Sequence, residues 1–107
     1  MNISAVIIAR DEEAKIADAI RSVGWADEVV LVDSGSTDRT REIAEALGAR
    51  VIVNDWPGFA AQKQFAVEAA ANDIIFSLDA DETVSDELKR EIEEIKSGGR
   101  LPFDGMT

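Results

Sequence analysis

The stretch from Ile74 to Glu82, Ile-Ile-Phe-Ser-Leu-Asp-Ala-Asp-Glu, changes abruptly from an apolar run to three acids around a single alanine. The apolar part is typical of a buried β-strand. Two carboxylates one residue apart repel each other unless a positive charge lies beside them, and a divalent cation would supply that charge. We therefore expect a strand that ends in a metal-binding turn. The alternative is a solvated acidic turn before the next helix.

Three further strand-like runs precede this stretch, and a segment with helical spacing follows each of them. The predicted strands are Ile3–Ala9, Glu28–Asp33, Arg50–Val53 and 73–78, and the predicted helices begin near Asp11, Asp38, Phe59 and Ser85 and end near 23, 47, 71 and 98. We expect Asp11 to cap the first helix. The order βαβαβαβα predicts an α/β fold, with a parallel sheet of about four strands and helices on both faces.

Three acids, Asp11, Asp33 and Asp79, come at or directly after the ends of predicted strands. In sheets of this class, ligands bind outside the carboxyl ends of the strands. Because parallel strands end at the same edge, the three acids should lie along it. The sequence therefore predicts a binding site at the carboxyl edge of the sheet.

The composition restricts the chemistry of that site. The chain has 107 residues, enough for one compact domain, and a net charge of −11, which argues against nucleic acid or an anionic membrane surface as a partner. It has no Cys and no His, so thiolates, disulfides and imidazole bases are excluded, and a metal must be held by oxygen. Mg²⁺, Mn²⁺ and Ca²⁺ fit such a site. The first apolar run is too short to span a bilayer or to form a signal peptide.

Other residues at the predicted edge allow two interpretations. Asp33 or Ser34 could bind a base or a ribose, and Gly35 would allow close approach of the backbone; the same residues could form a plain strand-turn-helix junction. Arg10 could contact a phosphate or a base, or simply lie in solvent. Lys63 lies near the start of the third helix, where anions are favoured, yet it could equally be an ordinary exposed lysine.

Five motifs in this order and spacing resemble the family 2 glycosyltransferases with the GT-A fold. In particular, they resemble the bacterial subgroup of lipooligosaccharide core β-1,4-glucosyltransferases. The motifs are Ala9-Arg10-Asp11-Glu12-Glu13, Trp25-Ala26-Asp27-Glu28, Val32-Asp33-Ser34-Gly35-Ser36-Thr37-Asp38, Gly58-Phe59-Ala60-Ala61-Gln62-Lys63 and Ser77-Leu78-Asp79-Ala80-Asp81-Glu82.

The resemblance implies the Rossmann-like nucleotide-binding half of a GT-A enzyme, with the first strand central in the sheet. It implies transfer of a hexose, with inversion, from a nucleoside diphosphate sugar to a saccharide acceptor, with UDP-glucose as the expected donor. The product would belong to lipopolysaccharide or another cell-surface polysaccharide. A cytoplasmic location is implied, with the inner face of the membrane as the alternative.

The resemblance also assigns roles to single residues. Asp81 would be the ligand of Mg²⁺ or Mn²⁺, and Asp79 would bind a ribose hydroxyl or support the metal site. Ser34 stands where many relatives carry an acid that contacts uracil. The residues expected to contact the donor are Ala9, Arg10, Asp11, Glu13, Asp33, Ser34, Gly35, Lys63, Asp79 and Ala80.

The length of the chain implies that part of the enzyme is missing. We expect residues 1–97 to form the donor-binding domain and residues 98–107 to begin an acceptor-side region or a tail. No catalytic base is assigned, because the resemblance places it beyond Thr107.

Three alternatives compete with this function. A non-catalytic nucleotide-binding fragment would bind its nucleotide at the same carboxyl edge of the sheet. A phosphatase of the haloacid dehalogenase type would use Asp79 as nucleophile and Asp81 as general acid, but its motif belongs near the start of the domain. A receiver-type module would need an acid after its central third strand and a lysine after a fifth strand, and the sequence shows no fifth strand.

Overall fold

The computed structural model describes residues 2–56 and 58–98. Strands and helices alternate along these residues as β1 (Ile3–Ala9), α1 (Ile16–Ser22), β2 (Glu28–Asp33), α2 (Thr40–Ala46), β3 (Arg50–Val53), α3 (Phe59–Ala69), β4 (Ile74–Asp79) and α4 (Asp86–Gly98). The strands form one parallel sheet in the order β3-β2-β1-β4. The predicted α/β fold and the inner position of the first strand are thus confirmed.

Strand β1 is buried on both faces, as its continuous apolar sequence predicts. On one face, Ala5 and Ile7 belong to a core with residues of α1 and α2. On the other face, Val6 belongs to a smaller core with Ala66 of α3. Helices therefore cover both faces of the sheet, and β1 lies between the two cores.

The first helix begins later than the sequence predicts. Asp11 does not cap it: α1 begins at Ile16, and no side chain caps its first turn. Asp11 instead has a φ of 51°, in the left-handed region, and its carboxylate accepts a hydrogen bond from the backbone N–H of Thr37. The chain turns at Asp11 because a neighbouring loop holds its carboxylate, so the expected cap is replaced by a contact between loops.

The other helix ends differ less from the prediction. Helix α2 begins at Thr40 and α3 ends at Ala69, about two residues inside the predicted limits. The predicted start of α4 is confirmed, since Ser85 Oγ accepts a hydrogen bond of 3.2 Å from the N–H of Leu88. Residues 99–107, most of the predicted acceptor-side region, lie outside the described residues. No helix within residues 2–56 and 58–98 is long and apolar enough to cross a membrane.

A polar cluster around Glu28 closes the amino edge of the sheet. One carboxylate oxygen of Glu28 accepts hydrogen bonds of 2.8 Å from the backbone N–H of Ala71 and from Ser4 Oγ. The other lies 3.8 Å from Arg50 Nη2, and Arg50 also donates to the carbonyl of Ala69. The N–H of Ala71, followed by Ser4 and Arg50, keeps the pKa of Glu28 below its ordinary value against the opposing effect of burial. This carboxylate joins β1, β2, β3 and the α3–β4 connection.

Candidate functional site

The carboxyl ends of three strands lie side by side at one edge. Ala9 of β1 pairs with Asp33 of β2, and Ile8 of β1 pairs with Asp79 of β4. The acids that sequence analysis singled out therefore share the carboxyl edge, as predicted, and Asp11 lies in the loop that follows β1.

The acids after β4 form a tight turn. The backbone N–H of Glu82 donates to the carbonyl of Asp79 at 3.0 Å, and the N–H of Asp79 donates to the Glu82 carboxylate, also at 3.0 Å. Ala80 is buried beneath this turn, while Asp79 and Asp81 are exposed. Glu82 thus fixes the turn from both sides, and the exposed carboxylates of Asp79 and Asp81 remain available to a ligand.

The loops after β1 and β2 are joined by a ladder of hydrogen bonds. Three successive backbone N–H groups, at residues 11, 12 and 13, donate to the side chains of Ser36, Thr40 and Asp38 at 2.9, 2.9 and 3.1 Å respectively. In return, Asp11 Oδ1 accepts from the N–H of Thr37 at 2.7 Å. The hydroxyl of Thr40, then the N–H groups of Thr40 and Glu13, keep the pKa of Asp38 below its ordinary value. The two loops therefore form one rigid rim.

Asp33 is turned inward, into its own loop. Its side chain is 0% exposed, and its carboxylate accepts hydrogen bonds from the N–H groups of Gly35 and Ser36, at 3.1 and 2.8 Å, and from Ser36 Oγ. Arg41 Nε lies 3.7 Å from Asp33 Oδ2, with the Arg41 side chain 44% exposed. In this arrangement the carboxylate stabilises the turn. The expected contact of Asp33 with a base or a ribose stays a prediction.

Gln62 connects Ser34 to the loop after β3. Its Nε2 donates to Ser34 Oγ at 3.1 Å and to the carbonyl of Asn54 at 2.8 Å, and its Oε1 accepts from Asn54 Nδ2 at 2.7 Å. The backbone N–H of Ser34 donates to the carbonyl of Ala9 at 2.9 Å. Ser34 is therefore held both from β1 and from α3, at the centre of the edge.

The remaining residues expected to contact the donor differ in exposure. Arg10 and Glu13 are exposed, and Arg10 Nε lies 4.0 Å from the carboxylate of Asp11. Lys63 is exposed on α3, with its Nζ 5.6 Å from the centre of the Phe59 ring. Arg10 and Lys63 thus supply positive charge in a strongly acidic chain, while Ala9 can offer little more than its backbone because its side chain is buried.

The two tryptophans behave differently. Trp25 packs edge-on against Phe76 of β4, with ring centres 5.3 Å apart. Trp56 is 49% exposed, and its ring centre lies 6.2 Å from that of Phe59.

A divalent cation fits the acid turn only if further ligands come from outside the residues that the structure describes. Within residues 2–56 and 58–98, no group of three or more acids is arranged to hold a metal ion. Asp79 and Asp81 are nevertheless exposed carboxylates on a fixed turn, and Mg²⁺ commonly binds through one or two carboxylates together with phosphate oxygens of a substrate. These two carboxylates therefore suit a metal ion that binds together with a phosphorylated ligand.

Several residues that build this edge carry no clear functional signal in the sequence. The pattern assigns no binding role to Ser36 or Thr40, although their hydroxyls join the two loops. Gln62 has a signal that could have been used: it lies on the same helical stripe as Ala66 and Ala69, four and seven residues later, so a polar side chain is placed on the buried face of α3. A buried polar group needs hydrogen-bond partners, and the neighbouring loops supply them.

The model of the glycosyl transferase family 2 matches residues 4–101. An uncharacterized glycosyltransferase of Rickettsia felis is 55% identical over 94 residues, which cover 87% of this chain and 33% of that protein. The lipopolysaccharide core biosynthesis glycosyltransferase LpsC of Rhizobium meliloti is 37% identical over 98 residues, or 87% of this chain and 36% of that protein.

Two solved structures extend the comparison to the fold. Glucosyl-3-phosphoglycerate synthase of Mycobacterium tuberculosis, in complex with Mn²⁺, UDP and glucosyl-3-phosphoglycerate, has a TM-score of 0.65 and 35% identity over 74% of this chain and 33% of that one. TarS 1–349 of S. aureus has a TM-score of 0.73 and 25% identity over 91% of this chain and 33% of that one. The chain spans about a third of the length of the curated relatives that it matches. The phosphatase and receiver alternatives are set aside by these matches, and the chain belongs to the family 2 glycosyltransferases.

Proposed function

We propose that this chain forms the donor-binding half of an inverting glycosyltransferase, which moves a hexose from a nucleoside diphosphate sugar to a saccharide acceptor. The observation that carries the proposal is the turn of Asp79 and Asp81 at the end of β4, on the same sheet edge as the joined loops that follow β1 and β2. Such an edge offers carboxylates for a metal-bound diphosphate beside polar loops for a nucleoside.

UDP-glucose is the donor that the relatives support. The mycobacterial structure of similar fold contains Mn²⁺, UDP and a glucosylated product. LpsC, a relative at 37% identity, is named for lipopolysaccharide core biosynthesis. We therefore propose a glucosyl transfer in the assembly of lipopolysaccharide or another cell-surface polysaccharide.

The divalent cation would be held by Asp81, with Asp79 beside it binding a ribose hydroxyl or supporting the metal site. When bound, Mg²⁺ or Mn²⁺ neutralises the negative charge that develops on the diphosphate leaving group. The turn closed by Glu82 keeps both carboxylates in place before the ligand arrives, so little ordering is needed on binding.

The other residues of the edge would hold the nucleotide. Arg10 and Lys63 are exposed cations that can pair with phosphate oxygens. Ser34 and Gly35 would contact the nucleoside, and Asp11 and Glu13, which belong to the rim, would lie beside it. Inversion also needs a base that takes a proton from the acceptor hydroxyl. The relatives are about three times as long as this chain, and we place the base in the corresponding remainder of the enzyme.

Thermal unfolding with UDP tests the donor site. We expect UDP with Mn²⁺ to raise the Tm by several degrees at saturating concentrations, whereas UDP alone or Mn²⁺ alone should have little effect. Asp81→Asn should remove the combined effect, because the amide has the shape of the carboxylate but not its charge.

Asp73→Asn is the matched control, since Asp73 is an exposed aspartate just before the opposite end of the same strand. It should leave the effect of UDP and Mn²⁺ unchanged. A folded wild-type protein whose Tm does not respond to UDP with Mn²⁺ would overturn the donor-site proposal. Within the site, replacing UDP by UDP-glucose and UDP-galactose shows which hexose adds affinity, and a preference for galactose would exclude glucose as the donor sugar.

A further inference from the structure

The sheet is open along one side of β3. In the strand order β3-β2-β1-β4, β3 pairs with β2, and no strand in the part of the chain that the structure describes pairs with its other side, which we call the outer edge. The backbone N–H of Asn54 points inward, to the carbonyl of Asp33. Because these groups alternate in direction along a strand, the N–H and C=O groups of Val51 and Val53 point outward. The outer edge therefore offers hydrogen-bonding groups to another strand.

An apolar patch lies at the end of this edge. It consists of Val53, the last residue of β3, with Trp56 and Phe59, whose exposed fractions are 50%, 49% and 54%. The ring centres of Trp56 and Phe59 lie 6.2 Å apart. Among the described residues, only one other large apolar side chain, Leu88, is exposed, at 37%. Such a concentration of apolar surface is typical of a face that a partner covers.

The two ends of the outer edge carry opposite charges. Arg50 begins β3, and 53% of its side chain stays exposed beside its contact with Glu28. Asp55 is exposed two residues after the strand ends. A second copy of the strand in parallel alignment would bring like charges together at both ends. In antiparallel alignment, the start of each strand lies beside the end of the other, so Arg50 of each copy lies near Asp55 of the other copy. The edge is therefore complementary to itself in the antiparallel direction.

We propose that two copies of this chain form a homodimer by pairing the outer edges of their β3 strands in antiparallel orientation. The two four-stranded sheets then join into one, about a twofold axis perpendicular to the sheet. Backbone hydrogen bonds at Val51 and Val53 hold the strands together, and the apolar patch of each copy lies against the start of the other strand. Because the joined strands run in opposite directions, the two carboxyl edges face opposite sides of the dimer.

Sedimentation velocity at increasing protein concentration, without nucleotide, tests the dimer. Salt at about 0.15 M screens the repulsion between two chains of net charge −11, and we expect the wild type to shift from monomer to dimer. Val53→Pro removes an outward N–H that takes no part in the pairing with β2, so this variant should fold and stay monomeric. Asp55→Arg places like charges beside each other at both ends of the edge and should weaken the dimer about tenfold.

Asp73→Arg is the matched control, because it makes the same change of charge at an exposed aspartate just before β4, on the far side of the sheet, and it should dimerise like the wild type. Arg50→Glu alone should also weaken the dimer, and mixing it with Asp55→Arg should restore dimers that contain one copy of each. If Arg50→Glu does not fold, the other two variants decide. A wild type that stays monomeric up to its solubility limit, or a dimer that either Val53→Pro or Asp55→Arg leaves unchanged, overturns the inference.

Discussion

Asp11 accepts a hydrogen bond of 2.7 Å from the backbone N–H of Thr37, which lies 26 residues further along the chain. Asp11 also has a φ of 51°, where most side chains are strained and aspartate and asparagine are tolerated best. One residue therefore supplies both the bend of the first loop and its link to the second.

Substitutions at Asp11 should separate these two contributions. Asp11→Ala loses the hydrogen bond and adds backbone strain, so the free energy of unfolding should fall by about 1–2 kcal/mol in urea titrations. Asp11→Gly loses only the bond and should be less destabilising, and Asp11→Asn should cost least, because its amide oxygen can still accept from Thr37. Equal losses in Ala and Gly would show that the backbone conformation contributes nothing.

Asp33→Asn should destabilise the fold more strongly. Its carboxylate is buried and accepts two hydrogen bonds at Oδ2 and one at Oδ1, and an amide nitrogen in place of either oxygen cannot accept the bonds made there. We expect a loss of about 2–3 kcal/mol by chemical denaturation. Arg41→Gln serves as control: its guanidinium is 44% exposed, so its pairing with Asp33 should be worth less than about 1 kcal/mol. A stable Asp33→Asn variant with weakened UDP binding would instead assign Asp33 a direct role toward the ligand.

Glu82→Ala should reduce the response to UDP and Mn²⁺ without abolishing it. The Glu82 carboxylate accepts from the N–H of Asp79, so its loss loosens the turn that carries Asp79 and Asp81, while both of these carboxylates remain. We expect the UDP affinity, measured in the presence of Mn²⁺, to fall a few-fold. Glu93→Ala removes an exposed glutamate of α4 and should change nothing. Complete loss of binding in Glu82→Ala would indicate that Glu82 is itself a ligand of the metal.

Glu28 should make stability depend on pH. Its pKa is lowered in the folded protein, so its stabilising effect is fully present above its ordinary value of 4.5 and is lost as the pH falls through the lower, folded value. Glu28→Gln should therefore lower the Tm at pH 7 and differ less from the wild type near pH 3. Glu45→Gln, an exposed glutamate on α2, should show no such pH-dependent difference. A constant difference at both pH values would mean that the charge of Glu28 is irrelevant.

The strands, their parallel arrangement and the position of the acid turn could be predicted because their signals are local. An apolar run such as Ile3–Ala9, or turn formers directly after a strand, need only neighbouring residues to be recognised. Each strand limit agrees with the prediction to within about one residue.

The directions of the loop side chains could not be predicted in the same way. Asp11 resembles a helix cap in sequence, yet its partners Ser36 and Thr37 lie 25 and 26 residues away. Asp33 looks like an exposed ligand-binding acid, yet the N–H groups of its own turn draw it inward. A cap and an interloop contact use the same carboxylate chemistry, so only the packed fold decides between them.

The strand order also has a consequence for the path of folding. Strands β1 and β2 are close in sequence and can pair early, whereas the pairing of β1 with β4, with Ile3 beside Ile74, closes a loop of about 70 residues. Asp79 reaches the edge only when this long-range step is complete. The rim around Asp11 and Asp33 can therefore assemble first, and the carboxylates of the β4 turn should be the last part of the site to come into place.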